Sequence, residues 1–446
     1  MIFTSLADHG MTRLLILLAG ILTLHISAAQ SSRQPSDPLE GEWSGLSKEA
    51  QSIGKPAWRP MLGYVAALHR ESTHPAEYPF DYEWEENGPG YVYGRAFGHW
   101  DIVHIVLDVM PSCPTHALHQ LLNDLRNQSE TGFLPGIIYM KGGLSKRDSV
   151  WWKKEYEGHP PLWPDAVQAY VDQTGDSAVI RSFYPHLLSQ IAWFENNRRA
   201  VKGGFFYNDI VIKHWESGVD EGIRFDDTLK GKYDCVDATC HGWMMYTYAS
   251  RWSTYLGIDR AAFERRAEEL RTLIYKQMYD PATGMFYDSW ALHDTVHRHI
   301  TFDSMWPLVL GMITTEQANL YIDNFLLNKN VFLTAHPIPT VSVSDPQFEL
   351  RMWRGPAWNS MTLWAAKGCV RYGRKDAAKI LLERALDGSA KHYARTGVIW
   401  EFYDPLGGNP EDVKRKPATP YNAPCKDYLG HNPLLAMARL YDACSH

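Results

Sequence analysis

The sequence predicts an all-α chain folded as an (α/α)6 toroid, six helical hairpins closed into a ring. Three observations predict it. Amphipathic stretches with apolar residues at i, i+3, i+4 and i+7 recur twelve times. Short and long links alternate between them. No strong alternating strand series competes, apart from brief candidates such as Gly204-Phe205-Phe206-Tyr207 and Met285-Phe286-Tyr287.

In chain order the helices are expected at 57–71, 99–110, 114–128, 163–174, 176–199, 236–256, 260–279, 303–313, 315–327, 356–372, 375–395 and 429–443. Ala178–Ala200 and Ala261–Met278 are the clearest, with charged outer faces and Leu, Ile, Phe or Tyr inside. Each even-numbered helix leads to the next by a short link, such as Met110-Pro111-Ser112-Cys113-Pro114. Each odd helix leads on through a link that is mostly long and rich in Gly, Pro and aromatics. Inner helices would therefore alternate with outer ones, and the long loops would gather at one mouth. Loops held by a rigid scaffold commonly carry function.

The chain has 446 residues, and no Pro/Gly/Ser-rich or charged stretch divides it after residue 40. Residues 42–446 are read as one domain and 30–41 as a polar tail. Residues 1–29 are read as a signal peptide: Arg13, an apolar run Leu14–Leu24, then Ser27-Ala28-Ala29. That run is too short for a membrane span of ~20 residues, so no stable membrane insertion is expected. The protein is expected to be secreted or periplasmic. The six cysteines, an even number, permit disulfides without requiring them. Cys235 and Cys240 are too poorly accompanied for a zinc site, and no metal or cofactor is expected. Asn127-Gln128-Ser129 is a formal glycosylation acceptor. The net charge of −7, with no basic run, P-loop or dinucleotide fingerprint, argues against nucleic acid. Seventeen Trp and 24 Tyr are many. A large aromatic core accounts for most of them; those beside Gly, Pro and Asp in loops suit a carbohydrate cleft.

The long loops carry the candidate chemistry. Before the second helix, Trp100-Asp101 pairs an aromatic face for a sugar ring with a carboxylate for its hydroxyls; Asp101 would equally serve as a helix cap. Gly158-His159-Pro160-Pro161-Leu162-Trp163 fixes a backbone that would aim His159 and Trp163 at a cleft, although Pro also simply starts helices. In Trp215-Glu216-Ser217-Gly218-Val219-Asp220-Glu221-Gly222-Ile223-Arg224, Asp220 is the candidate general acid. An acid must hold its proton near neutral pH, and Trp215 and Glu216 would supply an apolar wall and a neighbouring anion. Gly218 lets the backbone approach a ligand, and Arg224 would bind ring hydroxyls. In Met352-Trp353-Arg354-Gly355-Pro356-Ala357-Trp358, two Trp flank a Gly-Pro hinge, as pocket walls or as core. In Trp400-Glu401-Phe402-Tyr403-Asp404-Pro405, Glu401 is the candidate base, framed by Phe402 and Tyr403.

In order, these motifs resemble those of inverting (α/α)6 glycosidases, the clan of trehalases, family 63 α-glucosidases, and mannosylglycerate and glucosylglycerate hydrolases. Residues 215–224 resemble its Glu-Ser-Gly-x-Asp-x-x-x-Arg loop, 353–358 its Trp-Arg-Gly-Pro-x-Trp element, and 400–408 its late Glu-x-Tyr-Asp/Asn-Pro-x-x-Gly loop. Trp100-Asp101 is similar to its Trp-Asp, and His159-Pro160-Pro161 to its Gln-Pro-Pro. In length the chain is most similar to the short mannosylglycerate hydrolase-like branch. The resemblance implies single-displacement hydrolysis with Asp220 as acid and Glu401 as base, and carboxyls roughly 6.5–9.5 Å apart. It also implies a sugar subsite lined by Asp101, Arg224, Trp353 and Trp358, with Arg354 in the same element. His159 in place of Gln, Met352 in place of an aromatic, and Gly222-Ile223 in place of Ser-Pro or Ser-Ser depart from the pattern and bear on substrate. The expected partner is a small α-linked glucoside or mannoside. Two rivals remain at this stage: a sugar isomerase or epimerase using His293, His297, His299 and His392, and a sugar-binding protein without catalysis.

Overall fold

Helices buried on every side and helices buried along one stripe sort this chain into two layers. The computed structural model describes residues 38–140, 157–212, 215–226, 230–294, 296 and 298–445. The proposed signal peptide, His214 and His297 lie outside them. The helices are α1 (Pro38–Ala50), α2 (Arg59–Glu71), α3 (His99–Val109), α4 (Pro114–Arg126), α5 (Trp163–Thr174), α6 (Ile180–Asn197), α7 (Asp209–Ile212), α8 (Val236–Leu256), α9 (Ala261–Gln277), α10 (Trp306–Leu310), α11 (Thr315–Tyr321), α12 (Asn359–Arg371), α13 (Lys375–Thr396) and α14 (Leu434–Ser445).

Every residue of α3 is buried except Leu107, and every residue of α12 from Asn359 to Ala366. Such helices are stable only between neighbours. α9 instead buries Ala267, Leu270 and Ile274, a single i, i+3, i+7 stripe, and turns its charges to water. The inner layer closes on itself. α3 packs against α5 and α14, α8 against α10, α10 against α12, and α12 against α14. The α5–α8 join is made by side chains: Trp163 lies 5.9 Å from Trp252, and Trp252 Nε1 donates to Gln168 at 3.0 Å. α4, α9 and α13 pack outside α3, α8 and α12. This is the expected toroid of alternating inner and outer helices.

Local signals set the ends. Gly175, Gly257, Gly311 and Gly397 terminate α5, α8, α10 and α13 in the left-handed conformation. Thr314 and Gln317 form a capping box at α11. The expected helix at 303–313 divides into a 3-10 turn (Phe302–Met305) and α10; that at 315–327 ends in a π turn (Ile322–Leu326). α1 was not expected. It begins at Pro38, inside the span read as tail, and buries Trp43, Leu46 and Ala50 against α2 and α4.

The long loops carry short antiparallel strands: β1 (Thr73–His74) with β2 (Trp84–Glu85), β3 (Ala96–Gly98) with β4 (Ile137–Tyr139), and β5 (Tyr279–Asp280) with β6 (Met285–Phe286). The β3–β4 register pairs Phe97 with Ile138 and fixes the start of α3. All six cysteines are free thiols, five of them buried. Asn127 of the formal glycosylation acceptor is buried and donates to the Asn123 carbonyl at 2.8 Å. No helix among the described residues is long and apolar enough to cross a membrane.

Candidate active site

The loops preceding α3, α5, α8, α12 and α14 converge on one cleft of about 480 Å³. Its floor is aromatic. Trp353 stacks on Trp358 at 4.0 Å and 8°, and on Trp100 at 5.7 Å and 17°. His431 meets all three indoles edge-on, with centroids 4.8–5.4 Å away. Burial holds His431 well below the usual imidazole range, so it is neutral, and its Nδ1 bonds Ser360 Oγ at 2.7 Å. Flat apolar faces of this size suit the apolar faces of a pyranose.

Three carboxylates stand around this floor: Asp101, Asp220 and Glu401. Asp101, in the first turn of α3, accepts from the Tyr428 hydroxyl. Gly98 and Gly430 make room for it; a Cβ on either would sit about 2 Å from its oxygens. Burial raises its pKa to about 6, against the Tyr428 hydrogen bond and with the charges of Glu401 and Asp220 adding to the rise. Glu401 accepts from Arg415 Nε at 2.8 Å and from the Cys425 amide at 2.9 Å. Both side chains of that pair are 2% exposed. Asp220 accepts from Lys416 Nζ at 2.8 Å.

The loop bearing Asp220 is fastened from behind. Glu216 takes two bonds from Arg198, at 2.6 and 2.7 Å, and one from the Asn208 amide at 2.6 Å. The Ser217 amide donates to Asp209 at 2.7 Å. Gly218 has φ +75°, and a Cβ there would fall 2.3 Å from the Trp100 ring. Burial and neighbouring carboxylates raise Asp209 to about 8 and Glu157 to about 9, so both carry protons at neutral pH. His159 lines the cleft, and burial lowers it to about 4. Among the described residues neither of its ring nitrogens has a hydrogen-bond partner, nor has the Trp100 indole N–H.

Nine of the thirteen expected site residues line the cleft: Trp100, Asp101, His159, Trp215, Gly218, Asp220, Trp353, Trp358 and Glu401. Four stand elsewhere. Trp163 is wholly buried in the core and donates to Gln190 at 2.6 Å. Arg224 sits in a buried ion cluster with Asp237, Asp288 and Asp303, at 2.7–2.9 Å. Arg354 pairs with Asp226 at 2.5 Å and holds the Glu221 carbonyl. Tyr403 is buried and stacks on His336 at 4.3 Å, bracing the Glu401 segment. Asp237 and Asp288 also lie near Cys235. Their carboxylates are turned on Arg224, and burial keeps the Cys235 thiol protonated.

Sequence reasoning missed Arg415, Lys416, Tyr428 and His431. The first two belong to Val413-Lys414-Arg415-Lys416-Pro417, which looks like a solvated basic loop. Nothing local says that two of its cations turn inward. Of the histidines of the isomerase reading, His293, His299 and His392 are among the described residues and none of these three lines the cleft; His299 pairs with Asp345 at 3.1 Å.

A family model for the mannosylglycerate hydrolase MGH1-like glycoside hydrolase domain matches residues 97–422. The chain belongs to this family. It is an inverting glycoside hydrolase of the family 63 kind. A mannosylglycerate hydrolase of Rubrobacter radiotolerans is 21% identical over 414 residues, 75% of this chain and 91% of that protein. The family 63 mannosylglycerate hydrolase of Thermus thermophilus, solved with Tris and D-glycerate, superposes with a TM-score of 0.64 at 18% identity. That match covers 85% of this chain and 98% of that one. Neutral trehalase of Saccharomyces cerevisiae gives a TM-score of 0.61 at 14% identity, covering 83% and 78%. These likenesses place the family's fold under the cleft just described.

Proposed function

We propose that the protein is exported and hydrolyses a small α-linked mannoside or glucoside, with Asp220 as general acid and Glu401 as general base. The observation that carries this reading is that Asp220 and Glu401, from loops far apart in sequence, line one cleft over a floor of stacked indoles. Glu401 suits a base. Arg415 and the Cys425 amide fix its orientation, and a carboxylate so held accepts a proton from water without moving. Asp220 is more exposed, with 22% of its side chain accessible, as a group meeting a leaving oxygen must be. In the reaction Asp220 gives its proton to the glycosidic oxygen as the bond to the anomeric carbon breaks. Water attacks that carbon from the opposite face and yields its proton to Glu401. Asp101, His159 and the Trp100 N–H would take sugar hydroxyls.

Incubation with mannosylglycerate, glucosylglycerate, trehalose and kojibiose, followed by NMR, tests the reading. A released sugar appearing first as its β-anomer is expected. Asp220→Asn and Glu401→Gln should each lower kcat about 10²–10⁴-fold while leaving the fold intact. Near-wild-type turnover in either variant would refute that residue's role.

A further inference from the structure

We propose that Asn432 is a positioning residue for the base: its side-chain amide clips the segment bearing Glu401 to the layer beneath the indole floor and sets where that carboxylate stands. The proposal rests on the hydrolytic reading above. Asn432 is 1% exposed and does not line the cleft. Its Nδ2 donates to the Trp400 carbonyl, one residue before Glu401, at 2.8 Å and to the Tyr428 carbonyl at 2.6 Å. Its Oδ1 accepts from Asn359 Nδ2 at 2.9 Å. Asn359, the neighbour of Trp358 in the chain, also donates to Ser389 Oγ at 3.0 Å, and its Oδ1 accepts from His336 Nε2 at 2.9 Å. Every member of this string is buried.

The string runs in one direction. Carbonyls only accept, so both N–H groups of the Asn432 amide are committed to Trp400 and Tyr428. That leaves Oδ1 for Asn359, whose own Oδ1 takes the His336 Nε2–H. Burial lowers His336 to about 4, so the ring is neutral and the string carries no charge. Asp in place of Asn432 would match its shape and supply at most one donor; Ser would be shorter and supply one.

The groups that orient the base carboxylate move with it. Arg415 and Cys425 lie on the same long loop as Glu401, and the Glu401 amide donates to the Cys425 carbonyl at 2.9 Å. They turn the carboxylate within the loop and do not place the loop against the floor. The hydrogen-bonded attachments to the floor nearest Glu401 in the chain are two. After it, Ala357 and Tyr403 exchange backbone bonds, both at 2.9 Å. Before it, the Asn432 amide is the one donor to the Trp400 carbonyl among the described residues. One attachment lets a segment pivot, and two fix it. The turn that carries Asn432 is held independently. The Leu429 amide donates to the Asn87 carbonyl at 2.7 Å, the Ser360 amide to the His431 carbonyl at 3.1 Å, and His104 Nδ1 to the Gly430 carbonyl at 2.7 Å. Losing the Asn432 grip therefore leaves the floor and Asp101 in place and frees the Glu401 segment to swing about Tyr403. The sugar keeps its contacts, and the attacking water loses its base.

A double-mutant cycle tests this on α-mannosyl and α-glucosyl fluoride. Fluoride leaves with the C–F electron pair, water bonds to the anomeric carbon, and Glu401 takes the water's proton; little help from Asp220 is needed, so slow variants stay measurable. Asn432→Asp should lower kcat about 10²-fold, the cost of a ~1 Å misplacement, with KM within a few-fold of wild type. On a Glu401→Gln background the same change should cost nothing further, because residues that act as a unit are not additive. On an Asp220→Asn background it should cost its full factor. Should Asn432→Asp fail to fold, as judged by circular dichroism, the uncharged Asn432→Ser goes through the same cycle, with about a 10-fold loss expected. Equal losses on the wild-type and Glu401→Gln backgrounds, a raised KM with unchanged kcat, or wild-type kcat in a folded Asn432 variant would overturn the clip and leave the hydrolytic reading standing. No fluoride release by wild type from either sugar, or full turnover by Glu401→Gln, would overturn both.

Discussion

Gly218→Ala isolates the contact between the acid-bearing loop and the aromatic floor. Gly218 has φ +75°, and a Cβ there would lie 2.3 Å from Trp100 Cε3 and Cζ3, where ordinary contact begins at 3.4 Å. Loop and indole must separate by about 1 Å, and a misplacement of that size costs ~10²-fold in rate when it reaches the reacting groups. Trp100 also carries the stack on Trp353 and the edge contact with His431, so its shift spreads across the floor. The left-handed backbone adds about 1–2 kcal/mol for any residue with a Cβ, and overpacking about 1–3 kcal/mol more. Gly397→Ala supplies the control. Its φ is +73° with nothing within 4 Å, so it should lose only the backbone contribution and keep full activity per folded molecule. Urea unfolding and kcat/KM on the same substrate would be measured for both. Gly218→Ala within a few-fold of wild-type kcat/KM, or no less stable than Gly397→Ala, would refute the reasoning.

Arg224→Met should lower stability by about 3–5 kcal/mol, since it strands the buried carboxylates of Asp237, Asp288 and Asp303; a raised KM with unchanged Tm would mean that Arg224 holds substrate instead. His69 is buried between Glu85 and Asp108, at 2.6 and 2.9 Å; burial would lower its pKa, but these carboxylates outweigh that and raise it to about 9. Its contribution to stability is complete below its unfolded pKa of about 6.5 and is lost as pH rises through 9. Urea midpoints should fall across that window, and His69→Gln should flatten the fall. His159→Gln should change relative activity among α-mannosides and α-glucosides while keeping both limbs of the pH–rate curve, because the wild-type ring is already neutral above about pH 4; loss of one limb would mean that His159 moves a proton.

The sequence by itself determined the layering and pointed to two carboxylates that line one cleft. Helical period and alternating link length are local properties, and every helix they placed is present in whole or in part. Asp220 and Glu401 were legible because each sits in a short motif with aromatic neighbours. Tertiary structure alone decided which side chains of those motifs face the cleft. Arg224 and Arg354 are fixed by acids from other segments, which no local pattern announces. Trp163 follows a Pro-Pro turn, yet the α5–α8 join needed a large apolar residue more than the cleft did. Arg415 and Lys416 were hidden for the converse reason. A charge run is ordinarily solvated; here the long loop before α14 folds Arg415 back onto Glu401, 14 residues earlier, and the closing of the ring brings Asp220 onto Lys416 from 196 residues away. Spacing along the chain encodes which face a helix buries; which charge meets which depends on tertiary contacts between residues from 13 to 196 positions apart.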